Sequence, residues 1–261
     1  MTSNTLSNKG SLYLVPAPLD FGCNTLTPLS DVLPLATLQT AAKLQYWVCE
    51  NAKSTRAYLK RVGEICPLVQ PLQSLNIQEL PREVHKKGDH PGSAGASFDA
   101  KPLLAAALNG FDVGLVSEAG MPAIADPGSS VVRAAHDLGI AVMPLVGPIS
   151  LMLALAASGL NGQNFAFVGY LPSDAALLVK RIKELEQLAM KTGQTQLFIE
   201  TPYRNASLLQ LLISQLQPNT RLAISCGLTL VHSQTFSEKI HTWRQKSHTL
   251  SLSLPSVFAI G

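Results

Sequence analysis

The residues best suited to chemistry lie in one stretch, VGLVSEAGMPAIADPGSSVVRAA, from Val113 to Ala135. It reads as a strand, a loop and a helix. The loop holds Gly120, Pro122, Pro127 and Gly128 beside the carboxylates of Glu118 and Asp126. Glycine lets backbone approach a ligand closely because no Cβ intervenes. Loops at the C-terminal ends of parallel strands are where open α/β sheets bind ligands. The same spacing also suits an ordinary strand-to-helix connection with Asp126 as the helix N-cap, and the residues alone leave both readings open.

Several chemistries are not supported. The loop has no G-x-G-x-x-G for a dinucleotide and no G-x-x-x-x-G-K-[ST] for a nucleotide triphosphate. The chain has no G-x-S-x-G nucleophile elbow. The histidines at 85, 90, 136, 232, 241 and 248 form no H-E-x-x-H pattern, and no metal site stands out. Cys23, Cys49, Cys66 and Cys226 form no C-x-x-C pair, so free thiols in a reducing compartment are expected.

The elements that must position the loop follow from apolar patterning. Leu12–Val15 is a short strand stopped by Pro16. Ser30 and Asp31 can cap a helix running to about Leu44, followed by a strand over Gln45–Cys49 and a helix over Ala52–Val62 that ends at Gly63. Residues 64–99 hold four prolines and lack periodicity, so a long loop is expected there, either functional or disordered. Next come a helix at Leu103–Leu108, a strand at Val113–Ser117, a helix at Ser129–Leu138, a strand at Val142–Val146 and an apolar helix near Ile149–Ala157. This alternation predicts an α/β fold with a mainly parallel sheet and helices on both faces. The second half has strands at Ala166–Tyr170, Leu197–Glu200, Leu222–Cys226, Val231–Phe236 and Ser253–Ile260, with helices at Ala175–Met190 and Asn205–Leu216. There a mixed sheet is expected. Domain limits of 11–145 and 146–261 follow.

Composition agrees with a packed chain. Hydrophobic residues make up 46% of the 261 and charged residues 14%. Residues 1–179 carry 11 Lys/Arg against 13 Asp/Glu, a balance of −2, whereas residues 180–261 carry 9 against 4, a balance of +5. A basic C-terminal third suits an anionic partner such as RNA, or simply solvated helix faces. The polar opening MTSNTLSNKG lacks the apolar segment of a secretory signal. The most apolar stretch, Leu145–Leu160, is interrupted by Gly147, Pro148, Ser150, Ser158 and Gly159 and is shorter than the ~20 residues of a membrane span. A cytoplasmic protein with no membrane partner is expected.

Five blocks occur in order: LYLVPAPL, SEAGMPAIADPG, PLVGPISLMLALAASGL, FAFVGYLP and FIETPYRN. Together, over about residues 12–260, they resemble the tetrapyrrole (corrin/porphyrin) methylase superfamily, in the branch of the ribosomal small-subunit RNA ribose 2′-O-methyltransferases. The resemblance implies two α/β domains with S-adenosylmethionine in the cleft between them, and a homodimer. By position it implies that Pro16, Gly120, Met121, Pro122, Ile124, Ala125, Ile149, Ser150, Glu200, Gly227 and Leu228 bind the cofactor. Methyl transfer needs donor and nucleophile held in line at about 3–3.5 Å, without metal or covalent intermediate.

The sequence departs from that branch where relatives carry Glu-Asp-Thr-Arg. Here Glu50, Asn51, Ala52 and Lys53 stand, and the relatives' His-Asn-rich segment is replaced by His90-Pro91-Gly92. Losing Arg for Lys loses a planar bidentate fork. A ribose hydroxyl is a very weak acid, so a positioned general base would help its attack. Glu50 is the candidate catalytic residue, and Glu200 could also serve. Glu50 could instead pair with Lys53 or Arg56. Tyr203 and Arg204 could contact substrate or cap the helix at Asn205. Three functions are thus open: methyl transfer to an RNA ribose with an altered acceptor site; methyl transfer to a tetrapyrrole, another small molecule or a protein; and a cofactor-binding module without catalysis.

Overall fold

The computed structural model describes residues 9–87, 89 and 98–261. The polar opening up to residue 8 and the His90-Pro91-Gly92 stretch lie outside the described residues. The chain divides into two compact units. One comprises the residues up to Phe21 with Thr27–Pro148, the other Gly22–Leu26 with Ile149–Gly261.

The first unit runs β1 (Leu12–Leu14), α1 (Leu29–Val32), α2 (Leu35–Lys43), β2 (Tyr46–Cys49), α3 (Ala52–Gly63), β3 (Asn76–Glu79), α4 (Arg82–Lys87), α5 (Ala105–Leu108), β4 (Val113–Val116), α6 (Ser129–Asp137) and β5 (Val142–Pro144). Its sheet has the order β3-β2-β4-β1-β5, and every adjacent pair is parallel. A two-residue side-chain period splits each strand between two cores. Trp47, Cys49 and Val116 pack with α2 and α3, while Val48, Val113 and Leu115 pack with α6. Gly114 lies opposite Trp47 in the register, and a Cβ on it would come within 2.7 Å of the indole. The missing side chain makes room for one of the largest fully buried residues.

The second unit runs α7 (Ser150–Ser158), β6 (Phe165–Tyr170), α8 (Ala175–Thr192), β7 (Thr195–Glu200), α9 (Asn205–Gln215), β8 (Arg221–Cys226), β9 (Gln234–Lys239), α10 (Ile240–Gln245) and β10 (Ser256–Ile260). The sheet order is β6-β7-β10-β8-β9. Only β6 and β7 pair in parallel, so the sheet is mixed, as expected. One face presents Phe198, Leu222, Ile224, Phe258 and Ile260 to α8, α9 and α10. The other presents Leu197, Ala223, Val257 and Ala259 to α7. Phe198 and Phe258, partners in the register, stack with centroids 5.7 Å apart.

Three local expectations are corrected. The helix expected from Ser30 to Leu44 is two helices, because Pro34 lacks an amide proton and fixes φ; it becomes the N-cap of α2. Residues 64–99 are not one long loop among the described residues: β3 and α4 lie there, with a 3-10 turn at Leu72–Ser74. The strand expected at Val231–Phe236 lies at Gln234–Lys239, where polar residues alternate on a sheet edge. Among the described residues no helix is long and apolar enough to cross a membrane.

Candidate functional site

In the first unit the ends of β1, β4 and β5, neighbours in the sheet, are drawn together by glycines. Ala17 donates its amide to the Gly120 carbonyl at 2.9 Å, and Gly120 donates to the Ala17 carbonyl at 3.0 Å. This short antiparallel bridge clasps the loop after β1 to the loop after β4. Gly120 has φ +68°, and a Cβ on it would sit 3.2 Å from a Leu19 methyl and 3.5 Å from the Pro148 carbonyl oxygen. Pro16 fills the place of the side chain that Gly147 lacks, since a Cβ there would be 2.3 Å from the Pro16 ring. The Tyr58 hydroxyl donates to the Pro16 carbonyl at 3.2 Å. The sequence-expected residues Pro16 and Gly120 are therefore brought together.

Beyond Gly120, Met121 is half-buried and Pro122 buried, while Ile124 is exposed. Ala123 and Ala125 both have φ +65°. The left-handed region costs an L-residue roughly 1–2 kcal/mol, so this loop holds strain on both sides of Ile124. Such strain clusters at ligand clamps and active sites. The sequence gives no sign of it, because alanine carries no preference for that conformation.

The carboxylates converge here too. Glu50, just after β2, accepts the Glu118 amide at 2.9 Å through Oε2. Glu118 accepts the Ser54 hydroxyl at 3.2 Å. Burial, with Glu50 and then Glu118 nearby, pushes the Asp126 carboxyl up to about 7. Asn51 caps α3, accepting the amides of Lys53 and Ser54 at 2.9 and 3.3 Å.

Asp126 is not the N-cap of α6. Gly128 holds that position without a side-chain cap, and Asp89 supplies the capping carboxylate from 39 residues upstream. Its Oδ2 accepts the amides of Gly128 and Ser130, each at 2.9 Å, and the Ser130 hydroxyl at 2.7 Å. Its Oδ1 accepts the Ser129 hydroxyl at 2.8 Å. Arg133 donates to the Asp89 carbonyl. Burial opposes ionisation of Asp89, but these hydrogen bonds outweigh it and hold the carboxyl below its ordinary value. Asp89 thus fixes the far end of the loop that Gly120 begins.

In the second unit, Ile149 precedes α7 and its carbonyl accepts the Met152 and Leu153 amides. Ser150 opens the helix. Ile149 and Leu228 pack on the same cluster, against the α7 face of the sheet. Gly227 has φ +59°, and a Cβ on it would lie 2.7 Å from a Leu254 methyl. Glu200 lies next along β7 after Ile199, so the two-residue period turns it to the opposite face. Glu200 is buried, accepts the Thr201 amide at 2.8 Å and pairs with Arg204 at 3.3 Å. Arg204 stands at the N-cap of α9 but makes no side-chain cap bond.

A family model described as Tetrapyrrole (Corrin/Porphyrin) Methylases matches residues 35–242. Among similar proteins, Ribosomal RNA small subunit methyltransferase I of Mesorhizobium japonicum is 32% identical over 228 residues, 87% of this chain and 65% of that protein. The protein of the same name from Vibrio cholerae is 34% identical over 231 residues, 88% of this chain and 69% of that protein. The chain thus spans about two thirds of the length of these relatives. The crystal structure of the methyltransferase CobJ superposes with a TM-score of 0.55 at 17% identity, covering 97% of this chain and 94% of that one. At that identity it speaks for the fold alone.

Proposed function

We propose that this chain, which belongs to the tetrapyrrole (corrin/porphyrin) methylase family, transfers a methyl group from S-adenosylmethionine to a ribose hydroxyl of RNA. Family membership supports the reaction class, and the names of the relatives support RNA as the acceptor. The structural observation that carries the reading is the clasp between Ala17 and Gly120, which opens a strained, glycine-started loop at the C-terminal ends of parallel strands.

The chain's residues fit such a donor. Gly120 keeps the loop after β4 free of a side chain at its first turn, while Gly147 lets the Pro16 ring pack against the end of β5. At the end of β4 the Ser117 hydroxyl is buried with no hydrogen-bond partner among the described residues, a polar capacity that a ligand can use. In the first unit, Pro16, Gly120, Met121, Pro122, Ile124 and Ala125 would hold the donor. Ile149, Ser150, Glu200, Gly227 and Leu228 are proposed cofactor residues in the second unit through the resemblance. When bound, the donor supplies a methyl group on a positively charged sulfonium.

The remaining work falls to this chain's side chains. Glu50 would take the proton of the ribose hydroxyl at its carboxylate, which the Glu118 amide orients. A carboxylate positioned in this way contributes roughly 10²–10⁴-fold. Asn51 and Lys53 stand where the relatives' branch has aspartate and arginine, so acceptor recognition is proposed to differ there. The protein is further proposed to work in the cytoplasm as a homodimer, which light scattering would check against the 27.9 kDa mass of one chain.

The test is transfer of radiolabelled methyl from S-adenosylmethionine into fractionated cell extract. Label in the RNA fraction, lost with Glu50→Gln, is the expected result. Label confined to small molecules would move the acceptor to another class. Absence of label with normal donor binding would leave a binding module.

A further inference from the structure

The chain has five tyrosines. Tyr13 and Tyr46 are half-buried and Tyr58 is buried, whereas Tyr170 is 60% and Tyr203 83% exposed. The two exposed rings belong to the second unit and stand at the same end of two adjacent parallel strands. Tyr170 closes β6 and pairs in the register with Ile199 of β7; Tyr203 follows β7 in a 3-10 turn, Pro202–Arg204. The C-terminal end of parallel strands is the side on which such sheets bind ligands.

Both rings sit on built supports. Between Phe167 and Tyr170 the pairing slips, because three steps along β6 match two along β7. The extra residue is accommodated at Gly169, with φ +73°, where a Cβ would meet nothing within 4 Å. Glycine is needed there for its conformation rather than for space, and a bulge of this kind re-aims the side chain that follows it. Tyr203 is held from both sides. Arg204 is tied to Glu200 at 3.3 Å, and Thr201 donates to Glu200 through its amide and its hydroxyl. Asn205 is fully buried and donates through Nδ2 to the carbonyls of Leu252 and Leu254 and to the Ser256 hydroxyl. A large aromatic ring is therefore held in water on a turn whose neighbours are locked.

The charge of this unit suits an anionic partner. Residues 149–261 hold nine Lys/Arg and five Asp/Glu, a balance of +4 in a chain whose total is +3. Four residues after Tyr170 the chain enters α8, where Lys180 and Lys183 are exposed alongside Glu184, with the exposed Asp174 as the helix N-cap. Aromatic faces stack unpaired bases without regard to sequence, and cations nearby attract the backbone. We propose that Tyr170 and Tyr203 form a stacking platform for unpaired nucleobases of the RNA acceptor. This inference rests on the RNA reading above and adds residues of the second unit that grip the strand.

The experiment measures binding of a fluorescent, unstructured oligoribonucleotide of about 12 nucleotides to the full chain by anisotropy, alongside calorimetric binding of S-adenosylmethionine. Tyr203→Ala and Tyr170→Ala are each expected to weaken oligonucleotide binding about 5- to 100-fold and to leave donor binding unchanged. Tyr203→Phe keeps the ring and is expected to keep the affinity. An oligonucleotide with abasic sites should bind the wild-type protein weakly and be insensitive to Tyr203→Ala, because no base is left to stack. Wild-type binding that the alanine substitutions do not change overturns this inference alone. A wild-type protein that does not bind the oligonucleotide overturns the RNA reading and this inference with it. Loss of binding that tracks a fall in mass by light scattering assigns the rings to a subunit interface and overturns the platform.

Discussion

Gly120 uses both its amide and its carbonyl on Ala17, so neither loop end can shift without the other. With φ +68° and a Leu19 methyl 3.2 Å from the missing Cβ, Gly120→Val meets both strain and crowding. The backbone strain is about 1–2 kcal/mol, small enough for the fold to survive. Circular dichroism is expected to show a folded protein with a lowered melting temperature. Calorimetry is expected to show loss of S-adenosylmethionine binding. A folded variant that binds the donor normally would move the donor away from this loop.

Asp126 makes stability depend on pH in a direction opposite to that of a salt-bridged carboxylate. Its folded value is raised to about 7, so the folded state keeps the proton while the unfolded state loses it. Stability should therefore be highest below the ordinary carboxylate value, about 4. It should decline as pH rises from there to about 7 and level off above. Asp126→Asn is expected to flatten that decline and to be the more stable form at pH 8 by a few kcal/mol, on the order of 1.4 kcal/mol per pKa unit. Urea unfolding at a series of pH values measures it; a variant with the wild-type slope between pH 4 and 7, about the window set by these values, would refute the assignment.

Asp89 behaves in the opposite sense. Its folded value is lowered, so its contribution is present above the unfolded value and is lost as pH falls through the folded one, below about pH 4. Loss of a side-chain cap costs about 0.5–2 kcal/mol. Asp89→Ala should exceed that range, since two amides and two hydroxyls lose their acceptor. The variant should also lose part of the acid sensitivity of the wild-type protein. Equal acid midpoints, after correction for stability at pH 7, would contradict this role.

The proposed difference in acceptor recognition can be tested in cells that lack their own ribosomal RNA small subunit methyltransferase I. Asn51 is occupied in capping α3, and Lys53 cannot offer a guanidinium fork. Expression of this chain is expected not to restore methylation at the relatives' usual ribosomal nucleotide. Restoration there would show that the Asn51–Lys53 segment does not alter recognition.

Much of this architecture is legible in the sequence where a period is strong. The apolar runs at Val113–Val116 and Tyr46–Cys49 announce strands buried on both faces. β3 is hidden because Asn-Ile-Gln-Glu has one apolar residue and lies on an edge, where exposure removes the pattern. Pro34 carries the signal for the break between α1 and α2 in its residue type. At the site, Gly120 is readable as a turn glycine. The positive φ of Ala123 and Ala125 is set by the fold around them, and the cap from Asp89 depends on a contact far along the chain. The opposite facing of Glu200 and Ile199 follows from counting along β7, but which face α7 covers does not.

The distant origin of the Asp89 cap also bears on how this protein assembles. A local cap forms together with the first helical turn, whereas this one requires the ends of a 39-residue loop to meet. Closing such a loop lowers chain entropy before any hydrogen bond rewards it. The first turn of α6 should therefore become ordered late in folding, after the strands on either side have paired. Until then its amides stay hydrated, and the turn that begins at Gly120 has no fixed end.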